Sequence, residues 1–120
     1  MASNIKEKLD QLMEIDGAMA AALVDAPSGM VLGKIGSGID LDLAAAGNSE
    51  VVKAKLRIMN KLGLKGGIED ILITLEKQYH IIRPTEVQEG VFFYLVLDRN
   101  RSNLALARSS VRTAEKSLSL

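Results

Sequence analysis

The chain has no cysteine and no tryptophan, and it carries a single histidine. Without cysteine there is no disulfide, no thiolate zinc site and no thiol chemistry. That composition agrees with a reducing compartment. One histidine without cysteine partners argues against most transition-metal sites and against the usual nucleophile triads. Charge of one sign is also missing: fifteen basic residues face fifteen acidic ones, for a formal net charge of +0. A duplex-binding protein carries a basic excess to displace counterions, so no nucleic-acid partner is expected. No apolar run approaches the roughly 20 residues of a membrane span. The polar opening MASNIKEKLDQL lacks the apolar stretch of a signal peptide. These absences together predict a soluble, cytoplasmic protein with no membrane span. Aromatic residues make up only 3% of the chain, so its core has to be built from Leu, Ile, Val, Met and Ala.

What is present is ordinary for a globular chain: 120 residues, 48% apolar and 25% charged. That is the length of one domain, which buries about two-thirds of its unfolded surface. A net charge near zero protects poorly against aggregation, so burying apolar surface in an oligomer helps such a chain.

The first element reads as a helix, because Ile5, Leu9, Leu12 and Met13 recur on one helix face. Asn4 and Glu7 have the spacing of a capping box, and Gly17 ends the helix near Ile15. Two short apolar runs, 18–26 and 30–35, flank Pro27-Ser28-Gly29 and predict a β-hairpin. The first run does not alternate, so both of its faces should be covered.

A long helix is expected over 41–62, with Asp40 as its N-cap and Gly63, Gly66 and Gly67 as its stop. It has two apolar stripes. Gly47, Val51, Ala54, Ile58 and Leu62 form one, while Leu41, Ala45, Val52, Leu56 and Met59 form the other, about 100° further round. One stripe is enough to dock a helix on a sheet; the second asks for another partner.

Three strands follow: 68–75 with Ile71-Leu72-Ile73, 79–83 ending at Pro84, and 91–97. The last is apolar on both faces and should be central. Ser102 or Asn103 caps a final helix with Leu104, Ala107 (or Leu106), Val111 and Leu118 inward, and the tail 117–120 is expected to fray. Central strands that are apolar on both faces need helices on both sides. The fold class is therefore α/β (α+β): a three-layer α/β/α sandwich around a five-stranded antiparallel sheet, in the order α-β-β-α-β-β-β-α.

Candidate chemistry is sparse. His80 lies between Tyr79 and Ile81 in a strand and reads as a structural or surface residue. Gly36-Ser37-Gly38-Ile39-Asp40 precedes a helix but lacks the lysine and the spacing of a phosphate loop. Glu69-Asp70 and Asp40/Asp42 read as caps or solvated turns, and the Arg108, Arg112, Lys116 row reads as a solvated face. No catalytic residue, metal ligand, cofactor site or small-molecule substrate is predicted.

The chain resembles the Roadblock/dynein light chain family, in its prokaryotic, MglB-like branch. The resemblance rests on the element order across residues 4–116, on the hairpin MAAALVDAPSGMVLG, and on the ending VFFYLVLDRNRSNLALARSSVR. It implies a Roadblock/profilin-like fold and a homodimer in which the long helices pack together and the third strands pair edge to edge. The dimer interface would then be Ala45, Val52, Leu56 and Met59 of the helix with Ile71, Ile73 and Leu75 of the strand. The resemblance also implies a non-catalytic adaptor that binds and regulates a small Ras-like GTPase, with Glu50, Lys53, Arg57 and Lys61 as the exposed row available to it. The alternative it leaves open is a scaffold or light-chain-like module in a signalling or motility complex, without effect on nucleotide turnover.

Overall fold

The computed structural model describes residues 3–120. The chain runs through α1 (Ile5–Met13), β1 (Ala18–Asp25), β2 (Met30–Gly36), α2 (Leu41–Lys61), β3 (Ile71–Thr74), β4 (Gln78–Pro84), β5 (Val91–Asp98), a 3-10 turn (Arg99–Arg101) and α3 (Leu104–Lys116). The strands form one antiparallel sheet in the order β2-β1-β5-β4-β3. The expected architecture holds, and β5 is the central strand.

Two cores explain the layers. On one face α1 and α3 cover Ala21, Leu23, Ile81, Phe93, Leu95 and Leu97. On the other, α2 covers Ala20, Ala22, Val24, Ile82, Phe92, Tyr94 and Val96. β1 and β5 contribute to both cores, which is why neither strand alternates in sequence. The β1–β2 turn works as its residues dictate: Gly29 has φ +74°, and the Asp25 carboxylate accepts from Ser28 N and Oγ.

Both ends of the chain depart from expectation. Asn4 sits at the N-cap of α1 but its side chain does not cap the helix. Instead its Nδ2 donates to the Ser117 carbonyl at 2.8 Å, and its Oδ1 accepts from Ser119 N at 2.7 Å. Leu118 is buried beside this clasp. The tail is therefore tied down rather than frayed, because a side chain able to donate and accept satisfies two backbone groups at once.

β3 is shorter than the expected 68–75 strand. The two acids preceding it turn towards α3: Asp70 accepts two hydrogen bonds from Arg108, at 2.8 and 2.9 Å, and Glu69 accepts one from Arg112 at 3.1 Å. These contacts pin residues 69–70 to α3 where the strand would have begun.

Candidate functional site

Asp40 caps α2 by accepting from Leu43 N, and the buried face of the helix is Leu41, Ala45, Ser49 and Val52. Ala45 and Val52 are 0% and 4% exposed, within the protomer's own core. They are therefore not available to a second copy, contrary to the interface expected for them. The reason is fit. Ala45 and Ser49 are small, and the strand beneath them presents Ala20 and Ala22, so the helix can lie close to β1. Ser49 tolerates burial by donating its hydroxyl to the Ala45 carbonyl at 2.7 Å. Leu56, one turn further on, is 45% exposed, and Met59 is half-buried.

The stripe expected to dock on the sheet is the open one. Val51, Ile58 and Leu62 are exposed, with Leu43 beyond them at the start of the helix. At the helical period Val51, Ile58 and Leu62 form a flank, with the charged row of Glu50, Lys53, Arg57 and Lys61 on the opposite flank. The charged flank leans towards β2, where Lys34 pairs with Asp42 at 2.9 Å. Glu50 and Lys53 pair with each other at 3.0 Å, and Arg57 and Lys61 stand in solvent.

The apolar flank overhangs the rest of the sheet. Helix α2 lies over β1 and β2, and β3 forms the far edge. Ile71 and Ile73 project on the α2 side and are half-buried against that core, while Leu75 is exposed just beyond the strand. A groove of about 510 Å³ runs between helix and sheet, lined by Leu43, Gly47, Val51, Asn48, His80 and Tyr94 among others.

His80 is held in that groove. Its Nε2 is 2.8 Å from Gln78 Oε1, its Nδ1 is 3.0 Å from the Tyr94 hydroxyl, and the two rings meet edge to face. Burial holds the imidazole below its ordinary pKa. Burial also raises the Tyr94 hydroxyl, partly opposed by a hydrogen bond with Asn48.

The two β edges differ. On β2 the register slips between Leu23 and Val24, leaving Leu32 as a bulge, and Lys34 follows two residues on. Bulges and lysines are devices that blunt an edge against pairing. The β3 edge reads Ile-Leu-Ile-Thr, with neither charge nor bulge.

A cavity of about 670 Å³ at the other end of the sheet is built around an ion-pair network. Arg83 donates through Nε and Nη2 to Glu115 Oε1 at 3.2 and 3.1 Å, and Glu115 Oε2 accepts from Glu86 N. Arg83 Nη1 has no hydrogen-bond partner among the described residues, and Glu69 lies 3.9 Å away. The Arg108–Arg112 row is thus a clamp on residues 69–70, where the sequence read as a solvated face. Charge pairing across 38 and 43 positions leaves no local signal in a sequence. Among the described residues no cluster of His, Asp and Glu has metal-binding geometry, and no helix is long and apolar enough to cross a membrane.

No family model and no curated protein matches the chain. Solved structures do. MglB of Myxococcus xanthus is similar at 19% identity over 94% of this chain and 89% of that one, with a TM-score of 0.83. A Roadblock/LC7 domain from Streptomyces avermitilis matches at 17% identity over 92% and 91%, with a TM-score of 0.79. The gliding protein MglB of Thermus thermophilus matches at 19% identity over 94% and 89%, with a TM-score of 0.72. The fold of this chain is the Roadblock fold, in the form these bacterial proteins have.

Proposed function

We propose that the chain is a non-catalytic adaptor that self-associates through the open face of α2 and β3 and regulates a small Ras-like GTPase. The carrying observation is the half-covered sheet. One apolar flank of α2 borders an uncovered stretch of sheet beside an edge strand with neither charge nor bulge, and the helix's charged row points the other way. A second copy of the chain related by a two-fold axis fits this arrangement, because each α2 would fill the space beside the other. Leu56, Met59, Ile71, Ile73 and Leu75 remain in the proposed interface, joined by Val51 and Ile58.

After such pairing the Glu50, Lys53, Arg57 and Lys61 rows stay in water and are free for a partner. Hydrolysis of GTP needs an oriented water and stabilised phosphate charge, and a GTPase carries groups for both. A regulator acts by repositioning its switch segments, without supplying a catalytic group. Likeness to the MglB structures supports this reading over that of a generic scaffold. The test is binding of a Ras-like GTPase encoded beside this gene, loaded with a non-hydrolysable GTP analogue or with GDP, measured by calorimetry. The expected result is tighter binding of the GTP-analogue form, weakened at least tenfold by Arg57→Glu with Lys61→Glu. Equal, or no, binding of the two forms removes the GTPase assignment.

A further inference from the structure

We propose that the self-association face closes only around an uncharged His80, so that assembly is released by protons; this rests on the self-association reading above.

The hydrogen bonds define the state the site is built for. Gln78 Nε2 lies 3.8 Å from Met19 Sδ, which turns its Oε1 towards the imidazole. An amide oxygen only accepts, so His80 Nε2 carries the hydrogen and donates to it. Nδ1 is then the acceptor, and the Tyr94 hydroxyl donates to it. A neutral imidazole has one donor and one acceptor, and here each has its complement. A second proton would sit on Nδ1, against the Tyr94 O–H, whose own hydrogen would have to swing aside before the oxygen could accept.

The surroundings offer the new charge little. Facing His80 are Tyr94 of β5, Gln78 of β4, Ile73 of β3 and, from the N-terminal half of α2, Leu43, Gly47, Asn48 and Val51. Asp40 is the one carboxylate lining the groove among the described residues, and its Oδ1 is committed to capping Leu43 N at 3.1 Å. The start of α2 presents the positive end of the helix dipole on the same side. In the free protomer the groove is open to water, which partly solvates an imidazolium. A second copy laid on the apolar flank expels that water, and the cost of the charge rises.

The direction of the pH effect follows. Burial already keeps the protomer's imidazole below its ordinary value. Association buries it further, so the assembled form binds fewer protons than the free protomers. Association is then complete above the free protomer's pKa and weakens as the pH falls through it. With one His80 from each copy, the limiting slope is about 100-fold in Kd per pH unit.

The experiment is sedimentation equilibrium of the full chain at about pH 7.5 and about pH 5.5, on either side of the histidine range. Circular dichroism verifies the fold at each pH. The expected result is a dimer whose Kd rises at least tenfold at the lower pH, and a His80→Gln variant whose Kd is the same at both. The His80 imidazole pKa, followed by NMR, should be lower in the dimer than in an Ile58→Glu protomer, whose new charge lies outside the groove. A dimer with equal Kd at both pH values, or a His80→Gln variant that keeps the wild-type pH dependence, overturns the proton link and leaves self-association standing. If His80→Gln fails to fold, the NMR comparison decides, and equal imidazole pKa values in dimer and protomer overturn the link. A wild type that is monomeric at both pH values removes the self-association reading and this one together.

Discussion

Arg83 and Glu115 form a buried ion pair, their side chains 9% and 4% exposed. Two charges taken out of water are held there by short hydrogen bonds, and removing one leaves the other without compensation. Glu115→Ala is therefore expected to destabilise the protein by about 3–5 kcal/mol in urea unfolding. Glu115→Gln, which keeps an acceptor for Arg83 but not the charge, should cost less. The pair of Lys6 and Asp10 is a contrast: both side chains stand in solvent, so Lys6→Ala should leave the unfolding midpoint unchanged. A Glu115→Ala protein as stable as wild type would mean that Glu69, now 3.9 Å from Arg83, moves in to replace the lost carboxylate. None of this could be read from a helical wheel. A wheel sets Glu115 one turn past Val111, at the rim of the apolar face, but it does not show that β4 delivers an arginine beneath it.

At the scale of elements, several features are legible in the sequence because their signal is local. The Pro-Ser-Gly turn, the Asp40 and Asn103 caps and the two-faced apolar run of β5 each carry their cause within a few residues. Helix α2 was harder. Its two apolar stripes are similarly hydrophobic, and a wheel shows that they differ in direction without saying which one meets the sheet. The deciding feature is size. Ala45 and Ser49 let the helix approach an alanine-rich strand, so smallness rather than hydrophobicity marks the stripe that meets the sheet. The observed orientation makes a sharp prediction. Ile58→Glu with Val51→Glu alters exposed positions, so the protomer should fold with wild-type stability and fail to dimerise in light scattering. Val52→Glu buries a charge at a 4% exposed position and should unfold the protein. If instead the Val52 variant is a folded monomer and the Val51/Ile58 variant a dimer, the two faces of α2 have been exchanged.

For the whole molecule the question is how an open sheet disposes of its two edges. An exposed edge strand is a template for unwanted pairing, and proteins either blunt it or use it. On the self-association proposed above, both answers occur in one sheet. β2 has its bulge at Leu32 and its lysine at position 34, paired to α2 through Asp42. β3 is four residues long and carries no such device, and the Arg108–Asp70 clamp holds its start in place against α3. Short length is itself a protection, and on the self-association proposed above β3 would pair with a defined partner rather than with any strand. The consequence can be tested with one substitution on each edge. Leu72 and Leu32 are both exposed, at 36% and 45%, so a lysine at either is expected to leave the fold intact. Leu72→Lys places two like charges near each other where β3 would meet its copy, and should weaken the dimer at least tenfold in sedimentation equilibrium, less so in high salt. Leu32→Lys should leave the dimer unchanged. The opposite pattern would mean that the copies join through β2, and that the bulge there shapes an interface instead of preventing one.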